Sequence, residues 1–187
     1  MKKKFALFFV CLMAVMTCQA ELRQFRGIDR VDIQQQIDLD TCNVYIVPTV
    51  LADTHPRKTK DIDKQQAAYD ELGETIKKEL KSAYKKATIE VIDNAKKAPA
   101  GAVIVEAILK DIDWSTATMK DMMLRGAKED ISGGYNIRVS NAKGVVLEID
   151  NRRKHDTYMR SSNPVKIIRV YNEVIAEDLI DVLKKNK

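Results

Sequence analysis

The chain has 187 residues, 45% of them hydrophobic and 32% charged, with a formal net charge of +5. Three of the basic side chains are Lys2, Lys3 and Lys4; without them, 32 less 3 basic side chains face 27 acidic ones, a net of +2 that makes no case for a nucleic-acid partner. Seven glycines, four prolines and the lack of any repeat exclude collagen-like and low-complexity chains, and the apolar content is enough for one sizeable core.

The first twenty residues read as an export signal. Lys2, Lys3 and Lys4 form a positive start, Phe5 to Met16 an apolar run, and Cys18-Gln19-Ala20 supplies small residues for cleavage after Ala20. A second reading takes Val15-Met16-Thr17-Cys18 as a lipoprotein signal, with Cys18 lipidated and the protein tethered to a membrane. Either way the expected location is outside the cytoplasm: the periplasm, and with a lipid on Cys18 the outer membrane. Of the three cysteines only Cys42 lies well inside the mature chain, so no internal disulfide is available under ordinary cleavage, and a free cysteine buried beside a strand is expected.

Residues 21–40 are polar with isolated Ile28, Val31, Ile33 and Ile37, a pattern that suits a tether or an edge strand; residues 41–187 are expected to form a single α/β domain. Cys42 to Leu51 reads as the first core strand, with Val44 and Ile46 on one face and Tyr45 and Val47 on the other. Pro48, which lacks a ladder donor, places that strand near an edge or at its end. The loop Ala52–Lys60 carries His55. A helix follows, with Asp63 to Gln66 as a capping box and Tyr69, Leu72, Ile76, Leu80 and Ala83 as its apolar stripe. Lys81, Lys85 and Lys86 complement its C-terminal dipole. Thr88–Ile92 is a short β-branched strand.

The strongest strand signal is Gly101 to Asp113. Val103, Val105, Ala107 and Leu109 stay apolar on one face while Glu106 and Lys110 mark the other. Trp114–Ile131, with Met119, Met122 and Met123, keeps neither period. Tyr135, Ile137 and Val139, then Val145, Leu147 and Ile149, alternate on either side of Asn141-Ala-Lys-Gly144 and predict a hairpin. Asn151–Ser162 reads as a polar loop. Asn163-Pro164 opens a last helix whose stripe is Ile168, Tyr171, Ile175, Leu179 and Val182, widened by Val174 and Leu183. Its acids, Asp178 among them, precede Lys184, Lys185 and Lys187. The fold class is α+β: a two-layer α/β sandwich in which two amphipathic helices cover a mixed sheet of about five strands.

No catalytic constellation emerges. His55 and His155 sit in polar stretches without the spacing of a zinc site, and no serine stands in a nucleophile elbow. Gly133-Gly134 lacks the spacing of a phosphate-binding loop. Asp111 and Asp113 fall on one face of the strand end, about 7 Å apart, where strands also begin to turn polar; Asp38 and Asp40 share that geometry. The chain is expected to be no enzyme and to need no cofactor or metal. Its candidate interaction residues are Trp114, Met122 and the lysine row Lys77, Lys81 and Lys85.

The order of elements resembles a known group. Val44-Tyr-Ile-Val-Pro48, a long amphipathic helix, the strong strand Ala102–Asp113, the stretch Arg125-Gly126 to Gly133-Gly134, the hairpin Tyr135–Leu147 and a closing helix look like bacterial envelope proteins of unknown function, often lipoproteins, whose domain is similar to the amino-terminal domain of TolB. The resemblance spans Thr41 to Leu183 and implies an envelope accessory or adaptor domain that binds another protein, with no catalytic residues to carry over. The alternative expectation is a periplasmic small-ligand binder with its pocket where Trp114–Ile131 crosses the sheet. A hydrolase built on Asp111 and Asp113 is the third. Partner identity and oligomeric state are open.

Overall fold

The computed structural model describes residues 21–22, 28–51, 62–114, 130–156 and 164–185, and the side chains within them except at 21–22, 113–114, 130–132, 153–156 and 164. In chain order the elements are β1 (Glu21–Leu22), β2 (Arg30–Ile33), β3 (Asn43–Val50), α1 (Ile62–Asp70), α2 (Leu72–Ala83), β4 (Thr88–Val91), β5 (Val103–Trp114), β6 (Asp130–Asn141), β7 (Gly144–Asp156) and α3 (Pro164–Lys185). One mixed sheet runs β1-β2-β7-β6-β5-β3-β4. Its β3, β4 and β5 are parallel and the other pairings antiparallel.

The expected two-layer sandwich is the observed architecture. Five of its seven strands are the expected ones; the additional two come from the stretch 21–40, where Val31 and Ile33 are buried and pair with Ile149 and Leu147 of β7. Between β2 and β3, Asp38 accepts a hydrogen bond from the Asp40 amide at 3.1 Å and caps a 3-10 turn over Leu39–Thr41, so this acidic pair has a local structural role.

Register divides the sheet into two unlike faces. Val44, Val105, Val139, Leu147 and Val31 belong to an inner face whose side chains are all but fully buried; α2 and α3 pack against it, and α1 packs on the other two helices. The outer face carries Tyr45, Glu106, Arg138, Glu148 and Asp32, none of them buried. Each inner side chain of Val or Leu size contributes about 1.5–3 kcal/mol of burial free energy, so a one-residue slip would be strongly resisted.

The alternation is broken twice, each time by a bulge. In β7 the register slips at Val139/Ser140, and the extra residue lets Val146 and Leu147, consecutive in sequence, both enter the core. In β5 it slips between Leu109 and Asp111, which turns Lys110 and Asp111 together toward the outer face. The hairpin between β6 and β7 turns at Ala142-Lys143, with Asn141 Oδ1 accepting from the Lys143 amide at 2.8 Å. Gly144 follows at φ 121°, a value that a side chain would disfavour.

Pro48 stands on β3, which lies near an edge of the sheet, next to the edge strand β4. Ile92 N donates to Ile46 O, so the even-numbered residues of β3 point their backbone groups toward β4, and β4 stops at Val91, the partner of Ile46. Pro48 falls just beyond it, where no ladder donor is required.

Several expectations are corrected by the structure. The single long helix is two, α1 and α2, with Glu71 between them, although bonds from Glu71 N to Ala67 O and Thr75 N to Glu71 O carry the helical ladder across. Asp63 lies within α1, and Gln66 donates to Asp70 at 2.9 Å, one turn on, instead of closing a capping box. Lys85 and Lys86 follow the end of α2 at Ala83. The polar loop expected from Asn151 begins as strand: β7 continues opposite β6 as far as Asp156, and the His155 backbone pairs with Ile131. The predicted stripe of α3 is buried at every position, with Ile167, Ala176 and Ile180 buried beside it. This is because α3 meets the sheet on one side and α1 and α2 on another.

Candidate functional site

Two features of the β5–β6–β7 region set it apart chemically. On the outer face, the bulge at Lys110–Asp111 opens a charged hollow of about 310 Å³ lined by Asp29, Arg30, Lys110, Asp111, Asp150 and Arg152, with Asn151 and Gly134 as the remaining wall. Asp111 is fixed at both oxygens: Oδ1 accepts from the Gly134 amide at 2.9 Å and Oδ2 pairs with Arg152 Nη1 at 3.1 Å. Lys110 Nζ stands 2.6 Å from Asp150 Oδ1, and the Arg152 amide donates to Asp29 Oδ2 at 2.7 Å. Cations and carboxylates therefore alternate around the hollow and neutralise one another.

Beneath it, on the inner face, lies a buried polar cluster. Tyr135 donates its hydroxyl hydrogen to Asp178 of α3. Asn151 Nδ2 donates to the Tyr135 oxygen at 2.8 Å and lies 3.3 Å from Asp178 Oδ2. Asn151 Oδ1 accepts from the Asp29 amide at 3.1 Å, which joins the cluster to the hollow. All three side chains are buried, so each would be costly to leave unbonded. Sequence alone sets Asp178 among the dipole-ordering acids of the last helix and Asn151 at the start of a loop. Both are interior groups.

The glycine pair, which lacks the spacing of a phosphate loop, separates these two features. A Cβ at Gly133 would overlap the ring of Tyr171 on the inner face, and one at Gly134 would overlap the Asp111 carboxylate on the outer face. Neither position has room, for opposite reasons. A conspicuous Gly-Gly in the middle of a strand was the available signal for such a close approach.

Of the described residues singled out from the sequence, Asp111 lies at the hollow and the candidate interaction residues do not. Cys18, Met122 and His55 lie outside the described residues. Trp114 ends β5 opposite Ile131, in the sheet layer. The lysines are on the helix layer: Lys77 pairs with Glu74 at 3.1 Å, while Lys81 and Lys85 are exposed. Lys78 meets Glu79 at 3.6 Å, so the row is partly balanced by its own helix. Asp111 serves Gly134 and Arg152, and the side chain of Asp113 is outside the described set. Cys42 is half-buried rather than buried; its Sγ donates to Asp38 O, and burial, then the Asp38 charge, push its thiol above the ordinary value.

Elsewhere, Arg169 clamps Glu71 with two bonds of 2.7 and 2.6 Å and holds that carboxyl below its usual range, tying α3 to the α1–α2 junction. Asn172 Nδ2 donates to Ala68 O at 2.8 Å in the same interface. A second hollow, of about 300 Å³, lies between α2 and α3. Among the described residues no group of three or more His, Cys, Asp or Glu is placed to hold a metal ion, and no helix is long and apolar enough to cross a membrane.

No protein-family description matches the sequence, and no curated protein does. Solved structures similar to it at low identity include three bacterial proteins. The PelC dodecamer from Paraburkholderia phytofirmans is similar at 11% identity and a TM-score of 0.43, over 83% of this chain and 95% of that one. Rare lipoprotein B from Shewanella oneidensis is similar at 12% identity and 0.41, over 75% and 94%. Lipoprotein GNA1162 from Neisseria meningitidis is similar at 8% identity and 0.40, over 75% and 99%. Bacterial lipoproteins are among these structural neighbours.

Proposed function

We propose that this chain is a non-enzymatic accessory domain of the bacterial cell envelope that acts by binding another protein through the outer face of its sheet. The observation that carries the reading is the contrast between the two faces. The helix layer covers the inner one, while the outer presents cross-strand polar rows, the charged Asp32–Glu148–Arg138–Glu106 and Arg30–Asp150–Asn136. The bond of 2.7 Å from Arg138 to Glu148 and the pairs around the bulge hold these side chains in place in advance, which lowers the ordering cost of association. Charged rows of both signs confer partner selectivity and orientation more than bulk affinity. The TolB-like order of elements and the leader, with Cys18 as the tether in its lipidated form, support the envelope as the location and a protein as the partner.

The test is site-specific photo-crosslinking in intact cells of the native host. A photoreactive side chain at Asn136 is expected to give an adduct of one defined mass that disappears when Arg138→Glu is added, whereas the same group at Lys81 on α2 gives none. Adducts from position 81 alone, or none from position 136, overturn the reading.

Small-ligand binding is the second reading, and the charged hollow at the bulge favours it. Its volume lies at the lower end of the range for ligand pockets, roughly 300–1,000 Å³, and its lining suits a zwitterion better than an apolar compound. A melting-temperature shift with a zwitterionic metabolite, lost in Arg152→Ala, would carry it; no shift across a broad panel would remove it.

A further inference from the structure

We draw no further inference here: the strongest candidate, the groove between α2 and α3 where Glu79, Glu177 and Asp181 stand beside Ala83 and Ile180, is an acidic cluster, and nothing in the structure shows what covers it.

Discussion

Replacing Gly133 by alanine tests whether the glycine pair is a matter of space. The added methyl would lie within the ring of Tyr171, a fully buried side chain on α3 with no solvent into which to swing. Forcing a methyl into such a contact costs about 2–3 kcal/mol. For a domain of this size that lowers the melting temperature by roughly 4–12 °C. Urea unfolding followed by circular dichroism reads the loss directly. The distinguishing step is a double-mutant cycle with Tyr171→Ala. That change alone costs about 3–5 kcal/mol through the cavity it leaves, but it removes the obstacle, so the double variant should fall short of the summed costs by at least about 1 kcal/mol. Gly134→Ala meets the end of a side chain rather than a buried ring, so Asp111 can give way at the expense of its bonds to the Gly134 amide and Arg152, and the change should cost only about 1 kcal/mol. A Gly133→Ala protein within about 0.5 kcal/mol of wild type, or a cycle that adds without coupling, would refute the reasoning.

Tyr135→Phe removes the hydroxyl from the buried cluster and leaves Asp178 with one donor fewer, so a loss of about 1–3 kcal/mol by denaturant unfolding is expected; a neutral outcome would mean that the cluster contributes nothing to stability. Tyr69 and Tyr84 are both pushed up to about 12, each chiefly by burial, with Asp38 and Asp40 adding to the effect at Tyr84. Because their folded values lie above the unfolded value near 10, their contribution is fully present below that value and is lost as pH rises toward about 12. Spectrophotometric titration should show Tyr69 and Tyr84 ionising late in the native protein and normally in urea. Glu71 has the opposite sign, its folded value being depressed by the bond from Arg169. The stability it lends is present above its unfolded value and is lost as pH falls through the folded one, so Glu71→Gln should lower stability slightly at neutral pH, leave it nearly unchanged below the folded value, and thereby flatten the acid limb of the stability curve.

Much of the fold was legible because burial imposes period. Val103 to Leu109, the two arms of the hairpin and the stripe from Ile168 to Val182 each lie against a single apolar layer, and their alternation or helical spacing reports it. The legible part ended where polarity and burial parted company. From Arg152 to Asp156 β7 has no apolar residue, so the period-two signal vanishes while backbone pairing with β6 continues. Asp178 stands among Glu173, Glu177 and Asp181, all of them acids on one helix; which of them turns inward depends on a tyrosine 43 residues earlier in the chain. The bulges were equally silent, since Val146-Leu147 and Lys110-Asp111 read as lapses in a pattern until the partner strand is known. The candidate surface was missed for the same reason: its charges come from β2, β5, β6 and β7 and share no local sequence signature.

The docking of β2 has a consequence for the timing of folding. Asp29 finds its partner Asn151 only 122 residues later. A growing chain emerges amino terminus first, at roughly 5–20 residues per second, so Val31 and Ile33 wait roughly 6–24 s before their partner strand exists. The sheet thus closes between the two ends of the chain, after the local hairpin has formed. Any product truncated before β7 keeps those two apolar side chains unpaired, which makes the first strands to appear a readout of whether synthesis has passed β7.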